Sequence, residues 1–342
     1  MIEQPETPYQ NSGSVSNEYS VTMETFDTLF ACWRETTTVL PWSSLFTLPP
    51  WLTAWWQVFG AGWESHICAV RNQDSLLGIA PFMLDDGEIR FIGSPDVCDF
   101  MDCIIVPGAE NVFFKTLITH LRQHNIKRLV LQPVRIDSSV YAYLPTLAKA
   151  LGHHVDCTPD DVVLELSLPA TWDAFLIHLG GKQRHEIRRK LRRLEEHGHI
   201  HFWTVENPDI TYQALTTFIS LFRQNRDDKA SFMTGQMEEF FCAVARALSA
   251  EHMLKLSFLN LNDQPIAGVM CFDYRSIRHL YNNAYDRQFS ALSVGLLSKI
   301  FSIKDSIEQG LTKYDFLKGA EEYKQRLGGK PVALYTCRIN LK

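Results

Sequence analysis

Close to the C-terminus, the run YDFLKGAEEYKQRLGG (314–329) puts Tyr323 beside Lys324, shortly after a strand-like segment carrying Asp315. The types suit group transfer. A phenol can protonate a departing thiolate or alkoxide, and an ammonium can neutralise phosphate or stabilise an oxyanion. The alternative is an exposed turn of helix in which Glu321, Glu322, Lys324 and Arg326 face water. Upstream, Asp286 begins a loop that enters an apolar-striped helix at Ser293, Val294, Gly295 and Leu296. The free N–H groups and positive dipole of such a helix start suit phosphate, and Gly295 would admit a ligand close to the backbone. A plain Ser-capped helix is the competing reading. Asp286 and Asp315 are reserve candidates for the general base.

A third element is GKQRHEIRRKLRRLEEHG (181–198), where seven Lys or Arg between 182 and 193 stand against the single Glu186. On a helix, Arg184, Arg188 and Arg192 share one face, and guanidinium groups in a row can hold phosphate, carboxylate or an RNA backbone. Charge runs also occur as solvated faces. His197, His199 and His201 alternate. A zinc site there would need a further ligand, and Gly198 ends the basic helix, so no metal is expected. The eight cysteines form no CxxC pair, which fits a reducing cytoplasm. No GxSxG, Walker, HExxH or GxGxxG fingerprint is present, which turns the reading away from hydrolases, nucleotidases, zinc proteases and dehydrogenases.

These groups need a scaffold. Trp51, Trp55 and Phe59 recur at helical spacing after Pro49 and Pro50 and read as core. HICAV, LLGIAPFML and EIRFIG read as an antiparallel meander. A helix at 112–124, the strand KRLVLQPV, a helical stretch at 141–151 with a break or a new first turn expected at Pro145, and strands near 154 and 162–168 complete a first unit. A second unit repeats that order. LKLSFLNLNDQPIAGVMCF (254–272) echoes SHICAVRNQDSLLGIAPFM (65–83), with Gly78 set against Gly268. Helices are expected over 215–222 and 237–248, then strands at 254–259, 265–274 and 278–285, a helix at 293–310 and a strand at 313–316. Strand, helix, strand makes a right-handed crossover, and a ligand cleft is expected at the carboxyl ends of those strands.

A length of 342 residues, 46% hydrophobic and 21% charged, fits two globular domains with no transmembrane span. The expected division is a disordered leader at 1–20, an N-terminal domain at 21–168 on the acceptor side, and a C-terminal domain at 169–342 on the donor and catalytic side. A net charge of −6 argues against a surface shaped throughout for nucleic acid.

Four segments in order, SLFTLPPWLTAWWQVFG, RHEIRRKLRRLEEHG, YNNAYD followed by LSVGLL, and YDFLKGAEEYKQRLGG, resemble the FemAB-like acetyltransferases of the GNAT superfamily, in the BioF2-like (CelD-type) branch. The resemblance runs from Leu45 to Ile339. It implies an α/β fold of tandem acetyltransferase modules and an acyltransferase that moves an acyl group from acetyl-CoA or another acyl-CoA to an amine. The acceptor would be a small molecule, glycan or peptide, in envelope or polysaccharide synthesis. By the same resemblance Ser293, Val294, Gly295 and Leu296 would hold the donor phosphate, Tyr323 and Lys324 would lie near the transferred group, and Arg184 and Arg188 would bind substrate. The loop departs from the RxxGxG/A run of standard acetyl-CoA enzymes, having Arg287 and then only Gly295. Aminoacyl-tRNA is therefore the alternative donor, and a non-catalytic accessory role in polysaccharide synthesis the alternative function.

Overall fold

The computed structural model describes residues 19–35, 40–205, 208–225 and 231–342. Of the leader expected at 1–20, residues 1–18 lie outside the described residues, whereas Tyr19 and Ser20 begin strand β1 (Tyr19–Glu24), paired antiparallel with β2 (Glu64–Asn72). Thr25 caps α1 (Phe26–Arg34). Pro49 and Pro50 open α2 (Pro49–Phe59), where a missing N–H costs nothing. Its Trp51 is fully buried against Phe240, Phe272 and Tyr281.

The meander is β2, β3 (Ser75–Asp85) and β4 (Glu88–Phe91). A short β5 (Ile104–Ile105) joins β3. Then come α3 (Glu110–Gln123), β6 (Arg128–Arg135) parallel to β4, α4 (Ser139–Ala150) and β7 (His154–Ser167). Helix α4 runs unbroken through Pro145, contrary to the expected break. Proline deletes only one ladder bond, and burial of the stripe Val140, Leu144, Ala148 offsets its loss. The two strands expected near 154 and 162 are one continuous β7.

The second half repeats the order. After α5 (Trp172–His178) and the basic α6 (Gly181–Glu195) come β8 (Ile200–Thr204), α7 (Pro208–Asn225) and α8 (Gly235–Ala250). The meander β9 (Leu254–Leu261), β10 (Gln264–Tyr274), β11 (Ile277–Tyr285) follows, then α9 (Val294–Glu308), β12 (Lys313–Lys318) parallel to β11, α10 (Glu322–Arg326) and β13 (Lys330–Asn340). The hairpins match down to a bulge, at Leu77 in one and Ile266 in the other. Counted from that bulge Gly78 corresponds to Ala267, not Gly268, because one residue of offset turns a side chain to the opposite face. A Cβ on Gly78 would strike Phe113 of α3, whereas one on Gly268 would meet Phe218 of α7.

All the strands lie in one sheet, ordered β1-β2-β3-β4-β6-β13-β7-β12-β11-β10-β9-β8. The closing strand of each half crosses over. β13 pairs with β6, and β7 pairs with β12, while β7 and β13 pair with each other over nearly their full length. The two halves thus share one continuous sheet.

Candidate active site

Strands β11 and β12 pair only at Ile277–His279 with Lys313–Asp315 and then diverge. Two features of β12 drive the divergence. Leu317 has φ of 59°, and the register against β7 shifts between Asp315 and Lys318. Asp315 holds that bend, its carboxylate accepting the Leu317 N–H at 2.8 Å. Burial pushes the Asp315 carboxyl up to about 7. It sits beneath the opening, outside the residues that line it.

The diverging strands bound a pocket of about 650 Å³, a size suited to a small ligand or the arm of a larger one. Leu280 to Asn283 and Tyr285 form one wall, Phe316 to Lys318 the other, and Ser293 to Leu296 the end. All four of the residues expected to hold donor phosphate are therefore together. Ser293 takes the left-handed conformation, φ 59°, and no side chain caps α9. Lys190 of the basic helix donates to Ser293 Oγ at 2.6 Å. The helix start thus has a cation beside it and no acid in its first turn. Gly295 serves packing: a Cβ there would lie 2.6 Å from the Tyr285 ring.

Of the basic residues expected to bind substrate, Arg184 is half-buried and Arg188 exposed, and neither lines the pocket. Lys190, two residues beyond Arg188, contacts Ser293 at the pocket's end and is itself outside the lining residues. Asp286 caps the short 3-10 turn Arg287–Leu292 by accepting the Gln288 N–H at 2.9 Å, and it too lies outside the pocket wall.

Tyr323 and Lys324 both line the pocket, in different ways. Lys324 is buried, and its ammonium donates to the carbonyls of Leu317, Lys318 and Gly319 at 3.2, 2.6 and 3.2 Å and pairs with Glu321 at 2.9 Å. An ammonium has three N–H donors, so these acceptors saturate it. It pins the end of β12. Tyr323 packs its ring under the Lys299 ammonium, 4.6 Å from the centroid, and burial raises its phenol above the ordinary value, which keeps the proton on. Lys299 itself is buried in α9 and donates to Gly295 O at 2.7 Å and Asn283 Oδ1 at 2.9 Å.

One further acid reaches the pocket from far away in sequence. Asp99 lies in the segment 92–103 of the first half and lines this pocket of the second. Burial pushes its carboxyl up to about 6, against the pull of Lys318, Lys324 and the Lys318 N–H that it accepts. Two bonds bring that segment here: Tyr281 donates to Val97 O at 3.2 Å, and the Lys318 ammonium donates to Pro95 O. The clue in sequence is three Asp among apolar residues in SPDVCDFMDC, directly after a strand. Lys299 was also visible, as a lone charge in the stripe LLSKIF.

Among the described residues no helix is long and apolar enough to cross a membrane. Residues 181–325 match the family model of the acetyltransferase (GNAT) domain. Among solved structures the chain is similar to FemX, at 13% identity and a TM-score of 0.61, covering 92% of this chain and 96% of that one. A conserved protein of unknown function from Bacteroides thetaiotaomicron is similar at 13% identity and 0.58, covering 94% and 99%. L-PGS from Bacillus licheniformis follows at 9% and 0.51, covering 76% and 80%. No curated protein matches the sequence. Residues 181–325 thus match an acetyltransferase (GNAT) domain, and the chain shares the fold of FemX over nearly its whole length.

Proposed function

We propose that the protein transfers an acyl group from a phosphate-bearing thioester, an acyl-CoA, to an amine, with the donor in the opening between β11 and β12. The observation that carries this reading is the meeting of three groups on one pocket: the uncapped start of α9 with Lys190, the protonated Tyr323, and the carboxyl of Asp99. Residues 169–342 supply the donor side and residues 21–168 the acceptor side, to which Asp99 belongs.

Donor phosphate is held by the α9 N–H groups, Ser293 and Lys190. N–H groups of β11 beyond His279, no longer paired with β12, meet the carbonyl oxygen as it gains charge. The amine attacks the thioester carbon, giving its proton to Asp99, and the thiolate leaves with the proton of Tyr323. Amide and thiol are the products, and the proton on Asp99 restores the phenol. Lys324 acts by positioning, through β12. No covalent intermediate on the enzyme is needed, so positioning carries much of the rate.

The exposed Arg188, Arg189, Arg192 and Arg193 beside Lys190 favour one second reading, a tRNA-borne donor whose backbone lies along α6. Thermal shifts separate the two. A donor stabilises by RT ln(1 + [L]/Kd), so acetyl-CoA or a longer acyl-CoA should raise Tm in the wild type and much less in Lys190→Ala. A shift with charged tRNA alone would move the donor to the second reading. No shift with any donor, or an equal shift in Lys190→Ala, would defeat the site.

A further inference from the structure

Far from this pocket, where β2 packs under α3, three side chains converge that acyl transfer does not use. His66 and Cys68 stand two apart on β2, and His120 lies in the last turn of α3. One ligand atom from each lies within 4.8 Å of the other two. Three soft or borderline donors from two elements are thus gathered at one point.

The state of His66 is the second observation. It is 7% exposed, and neither ring nitrogen has a hydrogen-bond partner. A buried imidazole left so forfeits the hydration of both nitrogens with nothing in return, and native structures rarely tolerate that without a reason. The Cys68 thiol makes only weak sulfur contacts, donating to His66 O at 3.6 Å and to the Met23 sulfur at 3.9 Å. Met23 sits directly opposite Cys68 on the edge strand β1.

We propose that His66, Cys68 and His120 bind a d10 cation, Zn²⁺ or Cu⁺, which joins β2 to α3. The donor set decides the class: two imidazoles and a thiolate suit these ions, whereas Mg²⁺ and Ca²⁺ require oxygen. Tetrahedral zinc at about 2.0 Å from nitrogen and 2.3 Å from sulfur puts its ligands roughly 3.3–3.7 Å apart. Closing from 4.8 Å therefore asks for a shift of about 1 Å in the ligand atoms. The fourth position falls to water or to the Met23 thioether, the latter favouring Cu⁺. On binding, the thiol loses its proton to solvent and the sulfur becomes a thiolate ligand.

The test uses the full-length protein, stripped with chelator and re-equilibrated with Zn²⁺, or with Cu⁺ under nitrogen against a Cu⁺ chelator. One equivalent should survive dialysis. Co²⁺, used as a zinc probe, should give a thiolate charge-transfer band that disappears in Cys68→Ala. Since Cys68 is buried and its variant could fold poorly, His120→Gln, at a half-exposed helix position, is the decisive comparison: unchanged circular dichroism, with affinity down at least tenfold. The difference between it and the wild type also subtracts any binding by His197, His199 and His201. Retention of Cu⁺ but not Zn²⁺ upholds the site and names the ion. Equal metal content in His120→Gln and wild type, or no stoichiometric binding of either ion, overturns it.

Discussion

The two halves of the sheet make the same opening, and only one keeps it wide. In the second, β11 and β12 diverge after three paired residues and leave a pocket of about 650 Å³. In the first, β4 and β6 diverge after Glu88–Ile89 pairs with Arg128–Leu129, and the chain itself fills most of the gap, leaving about 150 Å³ beside Phe91, Val130 and Gln132. Met101 bridges Val134 in parallel and donates its N–H to Pro133 O at 2.8 Å. Phe100 and Cys98 are buried around it, and Asp102 ties the insert to the start of α4 by accepting the N–H groups of Ser139 and Val140 at 2.8 and 2.9 Å. The helix starts differ in the same sense. α9 has no acid in its first turn and Lys190 beside it, itself paired with Glu186 at 3.2 Å, whereas α3 begins with Glu110, whose charge already answers the helix dipole. On the proposed reading, a groove that holds the donor in one copy has become packing in the other. The insert that narrows it carries Asp99 to the pocket of the second half.

The sharpest way to break that comparison is Asp99→Asn. It should lower kcat by about 10²- to 10⁴-fold while donor binding persists. The wild-type kcat/KM should rise through pH 6, where the Asp99 carboxyl ionises, and this acid limb should vanish in the variant. Stability should move the other way. Because the folded-state value lies above the ordinary carboxyl range, folding favours the protonated form, and stability is lost as pH rises from about 4 through 6. Asn carries no charge, so Asp99→Asn should melt higher than wild type at pH 7. Wild-type turnover, or an acid limb that survives the substitution, would leave the second half complete by itself.

Next in size is Tyr323→Phe. The loss of one hydroxyl should reduce kcat by about 10²-fold with donor KM nearly unchanged, since the proton is needed only as the thiolate departs. The Lys299 contact is to the ring face and survives in Phe. A parallel melt controls for folding. If kcat holds at the wild-type level, water serves as the acid.

How these residues relate to the sequence follows from where they sit. Ser293 to Leu296 and Tyr323 fall at a helix start and just past a strand end, positions that periodicity and turn chemistry locate. The residues that were missed act across the fold. Asp99 reaches the pocket only because the insert is held by Tyr281 and Lys318, and Lys190 outranks Arg184 and Arg188 only because of how α6 rotates onto Ser293. Helical spacing finds a basic face but not which member points inward. The exchange of β7 and β13 is equally silent locally, since either strand reads as the end of its own module.

The smallest expected effect tests the closed half. Glu110→Gln removes the acid at the start of α3, which should cost only about 0.3–1 kcal/mol from lost interaction with the helix dipole. Donor KM and kcat should not change, because Met101 and Phe100 occupy the groove that a donor arm would need. Repulsion by Glu110 and filling by the insert are thereby separated as reasons for the first half's silence. A second donor equivalent bound by Glu110→Gln, counted by calorimetry, would mean that charge alone had closed this copy and that the insert yields. One equivalent in both proteins would assign the loss to packing, which no single substitution at the helix start restores.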